Sequence, residues 1–147
     1  MSLNKKIIVS LLILISPISL VMSEELINCK IKLINASKSA VEKIPESLKY
    51  LSPKLLATGM NNFTLVEEKN IKIKKKEPID VNFKSNDQLK FNIIYKKTEK
   101  IGMWLEWFSD SKLLLHSKFH FNCNQDLIAG AESGKDTAKI IAFKFSE

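Results

Sequence analysis

Residues 113–124 read LLLHSKFHFNCN, and their conformation decides the fold. They hold both histidines and one of the two cysteines of the chain. On a helix, His116, His120 and Cys123 would share one face, a spacing that suits zinc. The apolar residues reject that reading, because Leu113, Leu114, Leu115, Phe119 and Phe121 would scatter around the helix. On a strand they sort. Leu113, Leu115, Phe119, Phe121 and Cys123 share one face with only Ser117 polar, and Leu114, His116, Lys118, His120 and Asn122 take the other. Phenylalanine and asparagine also disfavour a helix. A strand separates the histidines by about 13 Å at ~3.3 Å per residue, too far for one ion to bridge. Lys118 stands between them and repels a cation. The expectation is therefore a strand with solvent-facing histidines, no metal, and Cys123 turned towards the core.

The same alternation recurs through the chain. Leu26 to Asn35 places Ile27, Cys29, Ile31 and Leu33 on one face against Asn28, Lys30 and Lys32. Ile44 to Thr58 is the one clear helical region, with Pro45 in a first turn and Leu48, Leu51 and Leu55 in helical repeat. Ser52-Pro53 should kink or split it. Strands are expected at Phe63–Glu68 and Ile71–Lys75, then from Pro78 through Phe83. Leu89, Phe91, Ile93 and Tyr95 alternate after the turn at Ser85–Gln88. Ile101–Phe108, Lys112–Cys123, Asp126–Ala131 and Thr137–Phe145 complete the series. The fold expected is mainly β: an antiparallel β-sandwich or flattened barrel of about 8–9 strands, with one helical segment near residues 44–58 over an end or edge.

The first residues set an expected compartment. Lys5 and Lys6 precede an apolar run from Ile7 to Met22, and Val21-Met22-Ser23 precedes Glu24-Glu25. That is the layout of a signal peptide over residues 1–23, leaving one exported, periplasmic or extracellular domain at 24–147. The run is short for a membrane anchor and Pro17 interrupts it. Leu26-Ile27-Asn28-Cys29 is a poor lipidation signal, since Asn28 stands where a small residue is wanted. In an exported chain, Cys29 and Cys123 read as one disulfide. Closing so long a loop could contribute up to ~4–5 kcal/mol.

The chain carries a net charge of +7 and every basic residue is lysine. Without the planar fork of arginine it is a poor candidate for specific nucleic-acid recognition. Lys72, Lys74 and Lys76 would line one face of a strand, as an anion patch or as an edge protected against aggregation. Met103-Trp104-Leu105-Glu106-Trp107-Phe108 is apolar on both faces. Such a strand is either central between two layers, the simpler expectation, or presents Trp104 and Phe108 as interface anchors. Ser109-Asp110-Ser111 with His116 has the letters of a triad but no placed nucleophile, and reads as a hairpin turn. Glu67, Glu68 and Asp87 read as solvated charge. Asn35-Ala36-Ser37 and Asn62-Phe63-Thr64 match the glycosylation triplet, which matters in a eukaryotic source. No group supplies a nucleophile, a base and an oxyanion site together, so neither enzyme nor cofactor is expected.

The order INAS (34–37), IPESLKYLSPKL (44–55), NNFTLVEE (61–68) and LIAGAESGKDTAKIIAFKF (127–145) resembles small exported bacterial proteins of unknown function. The resemblance implies export and a β-rich fold, and carries no site residues. The functional expectation is a non-enzymatic accessory or protein-interaction module of the cell envelope. The alternative is a binder of a small apolar or anionic ligand.

Overall fold

The computed structural model describes residues 25–146, so the expected signal peptide lies outside the described residues. Eight strands form two antiparallel four-stranded sheets. They are β1 (Leu26–Ser37), β2 (Asn62–Lys74), β3 (Ile79–Asn82), β4 (Asp87–Lys97), β5 (Lys100–Ser109), β6 (Lys112–Asn122), β7 (Asp126–Gly134) and β8 (Thr137–Ser146). Sheet A runs β2-β1-β8-β7 and sheet B runs β3-β4-β5-β6. The fold is the expected mainly-β sandwich. Two expected strands between Phe63 and Lys75 are one, carried past an irregularity by a register shift against Leu33 and Ile34.

The two sheets enclose the larger core. Sheet A contributes Ile27, Cys29, Ile31, Leu33, Ile141, Phe143 and Phe145. Sheet B contributes Leu89, Phe91, Ile93, Ile101, Met103, Leu105 and Trp107. Period two sends these positions inward and their neighbours outward. Phe91 meets Phe143 edge to face, with ring centroids 5.6 Å apart.

A second core lies on the other side of sheet A. A 3-10 segment (Glu46–Leu51) runs into α1 (Ser52–Leu56), and Pro53 enters at the start of α1, where its missing N–H costs nothing. Leu48, Leu51 and Leu55 are buried on Ile34, Ala36, Phe63, Ile140 and Ala142. The helical segment thus covers the outer face of sheet A rather than an end or edge. No helix of the described residues is long and apolar enough to cross a membrane.

The expected disulfide is corrected: Cys29 and Cys123 are free. Each is held against Phe145 rather than against the other. Cys29 stands opposite Phe145 in the β1–β8 ladder. Cys123 lies beyond the end of β6, and its Sγ donates to the Phe145 carbonyl at 3.5 Å. Burial pushes the Cys29 thiol up to about 12.

Candidate functional site

Strand β5 decides where the candidate residues point. Its inward positions Ile101, Met103, Leu105 and Trp107 are fully buried. Its outward positions face solvent on sheet B. Trp104 is 43% exposed and Phe108 is half-buried. The simpler expectation, a strand covered on both sides, is therefore corrected: nothing among the described residues buries Trp104.

Neighbouring strands build a face around it. The register sets Trp104 between Asn92 on β4 and Lys118 on β6, and Glu106 between Lys90 and His116. His116 meets the Trp104 ring edge to face at 5.4 Å, and the Lys118 ammonium lies 6.0 Å from its centroid. The Lys90 ammonium lies 5.7 Å from the Phe108 ring. Both histidines are exposed on this face, as the strand reading requires. Cys123 instead packs against the inter-sheet core, and among the described residues no group of three or more His, Cys, Asp and Glu could hold a metal ion.

One member of the face is absent from the sequence reading. Tyr95 alternates with core residues, yet a register shift between Ile93 and Tyr95 turns it outward, opposite Gly102. Its ring occupies the space above that glycine, where an added Cβ would stand 2.2 Å from Tyr95 Cε1. The ring stacks on His120 at 5.6 Å, and the Tyr95 hydroxyl shares a 2.6 Å hydrogen bond with His120 Nδ1. The signal available in the sequence was Gly102, a glycine within a strand, which often marks close approach by another group.

The triad letters resolve differently. Asp110 and Ser111 both have positive φ, 48° and 63°, as a two-residue hairpin turn of the primed type requires. Ser109 faces inward and receives a 2.7 Å hydrogen bond from Lys139 Nζ. Lys139, on sheet A, also reaches Asp87 Oδ2 at 3.1 Å. Asp87 is not solvated but buried, with 1% exposure. It accepts from Ser85 Oγ at 2.6 Å and from Trp107 Nε1 at 3.0 Å. Burial would raise this carboxyl, but the bonds from Ser85, Trp107 and Lys139 and the lysine charge outweigh it and hold it below the ordinary carboxylate range. An ammonium bonded to a carboxylate donates to Ser109 and does not take its proton. The cluster ties the sheets together at one end.

Beside this tie lies an open cleft of about 640 Å³, lined by Asn82, Asn86, Gln88, Lys90, Phe108 and Asp110 among others. It adjoins the Trp104 face through Lys90 and Phe108. The lysine run lies elsewhere. Lys72 and Lys74 are exposed on β2, at the edge of sheet A, with Ile71 and Ile73 turned to the core. Lys76 lies past its end, in a turn at φ 66°. The structure therefore separates the two candidate sets onto different sheets.

No family model, curated protein or solved structure matches this chain.

Proposed function

We propose that this chain is an exported, non-enzymatic interaction module that binds a protein partner through the outer face of sheet B. The observation that carries the reading is the exposed Trp104 on a sheet whose other face packs into the inter-sheet core. A large ring left in water against His116, with Phe108 beyond Glu106 on the same face of β5 and Tyr95 over Gly102, offers apolar area among lysines and amides, the make-up of an interface with a polar rim. Export rests on the pattern of residues 1–23 and on the resemblance of the element order to small exported proteins. The Trp104 face is preferred to the Lys72–Lys76 run because charge alone steers a partner without holding it.

The test is the pair Trp104→Ala and Phe108→Ala in one chain. The expected outcome is an unchanged circular dichroism spectrum and loss of the partner that crosslinking in source cells recovers with the wild type. Undiminished recovery of that partner would sink the proposal, and so would unfolding caused by Trp104→Ala alone.

The cleft beside Asp87 favours a second reading, a small polar ligand, since Asp87 and Asp110 line it beside a single lysine and disfavour an anion. Lys90 and the amides of Asn82, Asn86 and Gln88 line it, which suits oxygen-rich groups better than apolar ones. Native mass spectrometry of freshly purified protein would show a retained mass. Clean spectra from repeated preparations would count against it.

A further inference from the structure

The four sheet edges are not alike. Strand β3 has four residues, too few to template another chain. Strand β2 points charge inward: Glu67 and Lys69 stand opposite Leu33 and Ile31, both core positions. Inward charge is one of the ways an edge is blunted. Strand β7 is shorter, nine residues, shifts register only at its turn end between Glu132 and Gly134, and offers the small Ala131 beside Leu127 on its core side. Strand β6 has none of these protections along its middle. It runs for 11 residues, ends sheet B, and breaks register only near Leu113. Its lysines, Lys112 and Lys118, do not point into the core.

Its inward side is also incompletely closed. Leu115, Phe119 and Phe121 are half-buried, whereas their β5 partners Trp107, Met103 and Ile101 are fully buried. Unpaired backbone and a half-open apolar seam occur on the same strand. The occupant that satisfies both is another β-strand with alternating apolar residues, and β6 is itself such a strand.

We infer that β6 pairs antiparallel with β6 of a second copy, about a two-fold axis through Ser117. This centre suits the side chains. It sets Leu115 opposite Phe119, both on the inner face. It sets Lys118 opposite His116 and Lys112 opposite Asn122, so no lysine faces a lysine. A centre at Lys118 would oppose two like charges directly, which destabilises a strand pair. The pairing joins two copies of sheet B into one eight-stranded sheet. Both Trp104 faces then lie on the same side, on β5 strands three spacings apart, about 14 Å. The partner face is doubled without a new contact to the partner.

The test is light scattering of the chain as recovered from expressing cells, from micromolar to near-millimolar concentration, with two sets of variants. The expected result is a concentration-dependent dimer. His116→Lys sets a lysine opposite Lys118 twice by symmetry and weakens dimerisation about tenfold. Adding Lys118→Glu to His116→Lys restores it. In a Cys123→Ser background, Ser117→Cys gives an interchain disulfide under mild oxidation, and Lys135→Cys on the β7–β8 turn does not. A monomer at every concentration overturns the inference. So does a dimer that ignores His116→Lys and forms no Ser117→Cys crosslink. Neither result bears on partner capture through Trp104, which is read separately.

Discussion

The outer faces of the two sheets differ in composition and met different ends. Sheet A turns Ile34, Ala36, Ile140 and Ala142 outward, and Leu48, Leu51 and Leu55 cover them. Sheet B turns Asn92, Trp104, Glu106, Phe108, His116 and Lys118 outward, and they stay exposed or half-buried. Aliphatic side chains on a sheet call for a lid. A mixture of amides, charges and rings tolerates water, and its rings are available to a partner. The buried face is therefore a stability feature and the open face a binding candidate.

The largest effect should come from the lid. Leu55→Ala removes a fully buried side chain, so chemical denaturation should show a loss of about 2–5 kcal/mol. A loss below about 1 kcal/mol would mean that the segment covers sheet A only loosely. The tie between the sheets comes next. Asp87→Ala leaves Trp107 Nε1 without its acceptor and Lys139 without its carboxylate, for about 2–3 kcal/mol, the lysine being partly exposed. The carboxyl is held below its ordinary value in the folded state, so as pH falls the unfolded chain takes up this proton first. The stabilisation is complete above the ordinary carboxylate range and is lost as pH falls through the lower folded value. Asp87→Asn should flatten that acid limb, and an unchanged limb would place the titration elsewhere.

Smaller effects belong to the open face. Gly102→Ala should displace the Tyr95 ring and cost about 1 kcal/mol, with loss of the Tyr95–His120 hydrogen bond read from the NMR chemical shifts of the two rings. Trp104→Ala should change stability by less than about 1 kcal/mol. A cost like that of Leu55→Ala would erase the contrast between the two faces. The smallest effect is chemical. Native protein should alkylate at Cys123 and not at Cys29, which is 2% exposed and poorly ionised, while denatured protein should label at both. No labelling in denaturant without reductant would show that the two thiols had joined.

Much of the fold was legible because period two survives in the residues themselves. Ile27 to Leu33, Leu89 to Ile93 and Leu115 to Phe121 each sort onto two faces from sequence alone, and the histidines of β6 fall on the outer one, whereas a register shift turns Leu113 outward and Leu114 onto the core, against the alternation. Less of the site was legible. Tyr95 follows the alternation of its strand until one register shift reverses it. Asp87 sits in a run of turn residues and looks solvated, because its partners Trp107 and Lys139 are distant in sequence. Proximity of the cysteines to Phe145 was equally invisible, and it replaced an expected bond with two separate thiols.

The sequence by itself determined the strands, the helical segment broken at Pro53, and which side chains share a face. These follow from local periodicity and backbone restriction. Only the tertiary structure decided which face received a lid, which edge was left unblunted, and that Asp87 would be buried under Lys139. Those outcomes depend on which elements meet across the sandwich, and residues far apart in the chain carry no local signal of their meeting.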